Sequence, residues 1–211
     1  MSETHLFLFG GGPPFNSTLG ERFADLAGNQ ATRIAILFLE RPGWQDYMPS
    51  YTKVLEDNGV HDFYYFALSD NPNQQQLDQL EKCTGIIIGG GVTELYRDYI
   101  VDTPVGDIIR KRYNESVPVA GFSAGTLVSC EHCVISPEDT MQQEQLYLKG
   151  LGLIKNCVIS AHFSEWDEED NLLKAVSKLN VPGYGIDENS GIYFKNGQLV
   201  GHEGSEPHFY D

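Results

Sequence analysis

The chain has 211 residues, of which 41% are hydrophobic and 21% charged, so it can bury one sizeable core and is expected to form a single domain, residues 1–211. Its formal net charge of -16 disfavours nucleic acid as a partner, because the phosphate backbone would be repelled. No apolar run is long enough to cross a bilayer and the first residues lack a basic start. We therefore expect a cytoplasmic protein with no membrane partner.

The first 122 residues alternate between predicted strands and predicted helices. Apolar runs indicate strands at residues 5–9, 33–39, 62–68, 85–88 and 117–122. Helical patterns cover residues 20–27, 44–58 and 73–82, and residues 93–112 contain one or two more helices. This alternation is typical of a mostly parallel sheet with helices on both faces, so we expect a three-layer, doubly wound α/β fold.

The second part of the chain has a less regular pattern. We expect a short helix at 124–130, a strand at 157–161 and a helix at 168–179, and we predict an irregular stretch over 131–155. Short strands are expected at 185–187, 191–194 and 198–201. The last two are joined at Asn196-Gly197, a dipeptide that favours a type I′ hairpin turn.

Four cysteines are present, and two of them form the pair Cys130-x-x-Cys133. This spacing occurs in redox sites and as half of a zinc site, but the chain has no second pair of this kind. We interpret the two cysteines as small residues on and after a helix. No metal and no cofactor is expected.

The segment Gly121-Phe122-Ser123-Ala124-Gly125 follows a predicted strand and precedes a predicted helix. In this setting Gly-x-Ser-x-Gly is typical of a nucleophile elbow, whose small flanking residues tolerate a strained backbone turn. The Ala124 N–H would then be free to bind an oxyanion. A serine that only caps the helix would occupy the same position, so both interpretations of Ser123 remain open here.

A serine nucleophile needs a base, and the base needs an orienting carboxylate. Among six histidines, His162 directly follows a predicted strand, as Ser123 does, so both are expected at the carboxyl edge of the sheet. In α/β hydrolases the acid lies between serine and histidine in the chain. Glu138 and Asp139, in a loop after Pro137, are the candidates.

The Gly89-Gly90-Gly91 loop also follows a predicted strand. Glycine lets backbone approach a substrate closely, so this loop fits as the source of a second oxyanion donor. A phosphate cradle is the alternative, but the spacing of the known glycine-rich phosphate motifs is absent.

Together these motifs resemble the dipeptidase E / cyanophycinase family of serine peptidases. The matching segments are Ile87-Ile88-Gly89-Gly90-Gly91, Gly121-Phe122-Ser123-Ala124-Gly125, Ala161-His162-Phe163-Ser164 and Gly185-Ile186-Asp187-Glu188-Asn189. The resemblance implies a flavodoxin-like sheet similar to that of class I glutamine amidotransferases, and metal-free cleavage of peptides next to aspartyl residues. By position it implies Ser123 as nucleophile, His162 as base, Glu138 or its neighbour Asp139 as acid, and Gly91 and Ala124 as oxyanion donors.

We therefore predict a serine peptidase that hydrolyses small peptides, with aspartyl dipeptides and isoaspartyl links as candidate substrates, and that acts as a monomer or homodimer. Family members tend to carry arginines after the histidine, whereas this chain has an acidic run at 164–170 that would repel an acidic substrate group. Two alternatives stay open, an esterase or amidase for non-peptide substrates and a catalytically silent binding module.

Overall fold

The computed structural model describes residues 2–28 and 32–211. Strands and helices alternate in the first half of the chain as predicted. In order they are β1 His5–Phe9, α1 Ser17–Ala27, β2 Arg33–Phe38, α2 Trp44–Tyr47, α3 Pro49–Asp57, β3 Asp62–Ala67, α4 Gln74–Glu81, β4 Gly85–Ile88, α5 Thr93–Ile100, α6 Pro104–Asn114 and β5 Val119–Phe122.

The second half adds one long helix and several short strands. In order they are α7 Ala124–Ser129, β6 His132–Ile135, a single 3₁₀ turn Pro137–Asp139, β7 Leu146–Lys149, β8 Val158–Ser160, α8 Glu169–Leu179, β9 Gly183–Gly185, β10 Gly191–Lys195, β11 Gln198–Glu203 and β12 His208–Tyr210. Asn196 and Gly197 both have positive φ at the turn between β10 and β11, as the predicted hairpin requires.

The central sheet has seven strands in the order β11-β10-β1-β5-β4-β2-β3. The five strands from β1 to β3 in this order are parallel, and β10 and β11 extend the sheet antiparallel beyond β1. Alternate residues of β1 serve opposite layers, since Leu6 and Leu8 join one buried cluster and Phe7 and Phe9 the other. The predicted three-layer α/β fold is confirmed.

Three details of the prediction were wrong. The single helix expected at 44–58 is two helices, and Pro49, which cannot donate a hydrogen bond, begins the second. The stretch expected to be irregular contains β6 and β7, which pair with each other. Strands β8, β9 and β12 form a separate three-stranded sheet, in which β9 lies two residues before the expected strand.

The short strands were missed for a physical reason. The four residues of β6 and the four of β7 form neither a long apolar run nor an alternating pattern, and what stabilises the two strands is their pairing across a ten-residue connection. None of the helices within residues 2–28 and 32–211 combines the length and apolar character that a bilayer-crossing helix needs.

In the turn from β5 into α7, the positions of Gly121 and Gly125 leave no room for a side chain. A β-carbon on Gly125 would overlap the carbonyl oxygen of Ile88, at the end of β4, and one on Gly121 would lie 2.5 Å from the carbonyl oxygen of Gly125. The Gly125 N–H donates to the Gly89 carbonyl at 3.1 Å. Glycine at 125 therefore lets the elbow lie directly against β4, and glycine at 121 lets the turn fold back closely on itself.

We expect Gly125→Ala to destabilise the protein by about 3 kcal/mol or more, because backbone atoms on β4 would have to move. Gly201→Ala is the matched control, since a β-carbon there would meet open space, and its effect should stay within about 1 kcal/mol. Urea unfolding measures both. Equal stability of the two variants would show that the elbow does not depend on this contact.

Candidate active site

Ser123 occupies the strained turn between β5 and α7. Its φ of 49° and ψ of -107° lie outside the regions that L-residues favour, a conformation that costs about 1–3 kcal/mol. The N–H of Ser123 donates to the carbonyl of Phe9 at 3.1 Å, which anchors the turn to β1. Its side chain makes no capping hydrogen bond to α7. The hydroxyl is directed away from the helix and towards His162.

The Oγ of Ser123 lies 2.8 Å from Nε2 of His162. His162 follows β8, and its N–H donates to the Gly10 carbonyl at 3.0 Å, beyond the end of β1. The imidazole is stacked on Trp166, with ring centroids 4.3 Å apart and an angle of 18° between the planes. The backbone and the indole thus hold the imidazole at hydrogen-bond distance from Ser123, the geometry that a general base requires.

The structure separates the two acids that the sequence suggested. Asp139 lines the small enclosed space beside Ser123 and His162, and burial raises the pKa of its carboxyl. Glu138 is exposed, does not line that space, and uses its N–H to bind the Ser136 hydroxyl. Of the two, only Asp139 comes close to the candidate pair.

A third acid, Glu188, lies closer to the imidazole. Its Oε1 is 3.8 Å from Nδ1 of His162, and within the described chain that nitrogen is buried without a hydrogen-bond partner. Catalytic hydrogen bonds are often long before substrate binds. Sequence reasoning missed Glu188, because the acid was sought between serine and histidine. Glu188 does belong to the segment Gly185–Asn189, which is one of the segments that carry the family resemblance.

The glycines after β1 make room for the loop that carries Glu188. A β-carbon on Gly10 would overlap the carbonyl oxygens of Ile186 and Asp187, and one on Gly11 would overlap the carbonyl oxygen of Glu188. Gly10 and Gly11 therefore allow the close packing of two backbones. This packing lets two loops that are distant in sequence meet beside His162.

The glycine loop after β4 lies against Ser123. A β-carbon on Gly90 would be 3.4 Å from the Ser123 Cβ. The loop is held by two buried tyrosines, since Tyr51 accepts from the Gly90 N–H at 3.1 Å and Tyr96 donates to the Gly90 carbonyl at 3.0 Å.

The two backbone donors expected to bind an oxyanion flank this contact. Gly91 follows Gly90 in the loop, and Ala124 follows Ser123 at the start of α7. Among the turn and loop hydrogen bonds of residues 2–28 and 32–211, the N–H groups of Gly91 and Ala124 donate to no backbone carbonyl. Donors without a partner at this place are available for an oxyanion.

Burial is the main influence on the imidazole, and it lowers the pKa of His162 below the ordinary histidine value. The carboxylates of Glu188, Glu165 and Asp139 act in the opposite direction and raise that pKa. The net lowering keeps the imidazole neutral, and therefore able to accept the serine proton, at neutral pH.

The acidic run at 164–170 divides into two parts. Glu169 and Asp170 lie in the first turn of α8, where acids complement the helix dipole. Glu168 is buried and is bound by the Ser136 hydroxyl at 2.5 Å and the Asn171 amide at 3.0 Å. Glu165 accepts from the Glu188 N–H at 3.1 Å. Most acids of the run therefore serve structure, whereas Glu165 borders the loop of Glu188, as does Ser164, whose hydroxyl donates to Asp187.

The cysteines lie away from this chemistry. Cys130 and Cys133 are buried free thiols, and burial raises the pKa of Cys133 to about 12. In the described part of the chain, no three His, Cys, Asp or Glu side chains converge in a way that could hold a metal ion.

Comparison with known proteins agrees with this geometry. The model of peptidase family S51 matches residues 6–201. Cyanophycinases from Geminocystis herdmanii and Trichormus variabilis are 27% and 28% identical over 71% and 69% of this chain. The matched segments cover 58% and 51% of those proteins, so the chain spans about half the length of these curated relatives.

Two solved structures share the fold. A peptidase from an acI-B1 Actinobacterium superimposes with a TM-score of 0.71 and 17% identity, over 98% of this chain and 93% of that one. A putative peptidase E from Listeria monocytogenes gives a TM-score of 0.69 and 15% identity, over 97% of this chain and 100% of that one. At these identities the likeness concerns the fold alone.

We expect Glu188→Gln to shift the acid limb of Ser123 reactivity to lower pH. The wild-type rate of phosphonylation by a fluorophosphonate should reach half its plateau below pH ~6.5, the ordinary histidine pKa, because burial lowers the pKa of His162. Loss of the Glu188 charge removes an interaction that raises this pKa, so the midpoint should fall further.

The plateau rate should also fall, by at least about 10-fold but less than the ~10⁴-fold of a buried triad carboxylate, because Glu188 is half-exposed. Glu138→Gln, a change at an exposed neighbour of Asp139, is the control and should leave both midpoint and plateau unchanged. If the pH midpoint shifts in Glu138→Gln but not in Glu188→Gln, the orienting acid is Glu138 and not Glu188.

Proposed function

The chain belongs to the serine peptidases of peptidase family S51, and we propose that it hydrolyses small peptides with Ser123 as nucleophile and His162 as general base. The observation that carries this proposal is the 2.8 Å contact between Ser123 Oγ and His162 Nε2 at a strained strand-to-helix turn. Glu188 is the orienting acid in this proposal, in place of Glu138 or Asp139, because its carboxylate faces Nδ1 at 3.8 Å.

In the first half of the reaction, Ser123 Oγ forms a bond to the scissile carbonyl carbon as its proton moves to Nε2 of His162. The N–H groups of Gly91 and Ala124 stabilise the negative oxygen of the tetrahedral intermediate. The C–N bond then breaks, His162 gives its proton to the departing amine, and an acyl-enzyme remains. Water attacks the ester with His162 again as base, which releases the acid and restores Ser123.

The carboxylates near His162 favour a substrate whose leaving amine carries no negatively charged group. Glu188, Glu165 and Asp139 all raise the pKa of His162 by their charge, so their combined field reaches the imidazole. A carboxylate near that position would be repelled, whereas a free amino group would be attracted. This supports short peptides with an uncharged or cationic residue after the scissile bond.

Intact-mass labelling with a fluorophosphonate tests the nucleophile. We expect one adduct on the wild-type protein, none on Ser123→Ala, and strongly slowed labelling of His162→Ala. Ser116→Ala is a matched control, because Ser116 is another serine with positive φ but follows α6, and it should label at the wild-type rate. An adduct that persists in Ser123→Ala would contradict the assignment.

Peptide turnover tests the activity itself. Against a library of di- and tripeptides, Ser123→Ala should lower kcat/KM by about 10⁴-fold or more, as loss of a triad nucleophile does. If the folded wild-type protein labels at Ser123 but cleaves only p-nitrophenyl esters, the peptidase proposal is wrong and an esterase takes its place.

A further inference from the structure

A cavity of 240 Å³ opens at the carboxyl edge of the sheet, beyond the ends of β2 and β4. The Gly90–Gly91 backbone forms one of its walls. Most of the other walls are aromatic rings, and we call this space the aromatic cavity, lined by Phe38, Trp44, Tyr47, Tyr51 and Tyr96.

The rings hold one another in place, so the cavity has a defined shape. Phe38 and Trp44 lie 4.6 Å apart between centroids, and Tyr47 meets Tyr51 edge to face at 5.8 Å. Charges are confined to the exposed side chains of Glu40 and Arg41. The guanidinium of Arg41 lies over the Tyr47 ring at 5.1 Å. The interior is therefore apolar and favours an apolar or aromatic group over an ion.

The order of the strands places this cavity on the far side of Ser123 from the base. In the sequence β1-β5-β4-β2, Ser123 follows β5. His162 is hydrogen-bonded to Gly10 beyond β1, and the cavity lies beyond β4 and β2. The leaving amine must lie within reach of His162 to receive its proton. The part of the substrate that supplies the carbonyl carbon then extends the other way, towards the aromatic cavity.

The sizes of the two spaces agree with this arrangement. The enclosed space beside Ser123 and His162 measures 20 Å³, about the room of one water molecule, so it cannot take a substrate side chain. The 240 Å³ of the aromatic cavity is below the roughly 300–1,000 Å³ of pockets that enclose a drug-sized ligand. It suits one large side chain.

We propose that the aromatic cavity is the subsite for an aromatic side chain on the residue that supplies the scissile carbonyl. This inference rests on the proposed function and adds a substrate class to it. An alanine in that residue would leave the rings exposed to water, whereas a benzyl group would cover them. An aspartyl side chain would bring a carboxylate among the rings and gain only Arg41 at the rim.

Aminoalkyl diphenylphosphonates test the subsite, because each carries one amino-acid side chain next to a group that reacts with an activated serine. Ser123 Oγ bonds to phosphorus, one phenoxide leaves, and the serine proton, taken up by His162, ends on that phenoxide as phenol. We expect the phenylalanine analogue to label Ser123 at least about 10-fold faster than the alanine analogue, the size of discrimination that an apolar pocket provides. The aspartate and arginine analogues should be no faster than alanine.

Substitutions in the aromatic cavity test whether the preference for the phenylalanine analogue arises there. Trp44→Ala, and separately Tyr47→Ala at an exposed ring, should lower the rate of the phenylalanine analogue towards that of alanine and leave the alanine rate within about 3-fold of wild type. Phe209→Ala is the control, an exposed aromatic residue on β12, and it should change neither rate.

Three results would overturn the subsite. They are equal rates for phenylalanine and alanine, a preference for aspartate that Arg41→Gln abolishes, and labelling by a simple fluorophosphonate but by none of the aminoalkyl analogues. In each of them Ser123 is still labelled, so the proposed function survives. If no phosphonate of either kind labels Ser123, the proposed function fails and the subsite fails with it.

Discussion

The close contact between the elbow and β4 is the constraint on which the rest of the site depends. Gly125 donates to the Gly89 carbonyl and leaves no space for a side chain, so the turn after β5 has one available position. The strained backbone of Ser123, which costs about 1–3 kcal/mol, is held there by neighbours on two strands. Thr126 contributes from α7, with its hydroxyl 2.7 Å from the carbonyls of Phe9 and Gly121. The strained backbone thus directs the serine hydroxyl away from the edge of the central sheet and towards the imidazole of His162. His162 follows β8, a strand of the separate three-stranded sheet.

The carboxylates around His162 have different roles, and their burial and hydrogen-bond partners distinguish these roles. Glu168 is buried, accepts hydrogen bonds from two serine hydroxyls and an amide, and fixes the start of α8 to β8 and to the loop after β6. Glu188 is half-exposed and faces the imidazole nitrogen that has no other partner in the described chain. An acid that is already satisfied by neutral donors stabilises structure, whereas one that faces an unpaired donor is free to respond to the charge formed during catalysis.

The fold and the candidate pair could be predicted from the sequence because their signals are local. Ser123 and His162 each follow an apolar strand closely in the chain, and ligands bind beyond such strand ends in α/β proteins, although β8, which precedes His162, belongs to the separate three-stranded sheet. Glu188 could not be found in this way, since its approach to His162 depends on backbone contact between the Gly10–Gly11 turn and a loop more than 170 residues later. Strands β6 and β7 were missed for a related reason: their hydrogen bonds, and not their four-residue patterns, define them.

Glu188 follows His162 in the chain, outside the interval between serine and histidine in which the acid was expected. In the proposed triad, serine comes first, histidine second and Glu188 third, because Glu188 lies on the loop before β10, the strand that pairs with β1 on its other side. The base and its acid therefore both reach Ser123 from the β1 side. The β4 and β2 side of Ser123 carries the glycine loop and the aromatic rings, with Glu40 and Arg41 at the rim of the cavity. In the proposed arrangement, a substrate that lies across Ser123 meets Glu188 and Glu165 at one end and the rings at the other, which favours a substrate whose two ends differ in chemistry.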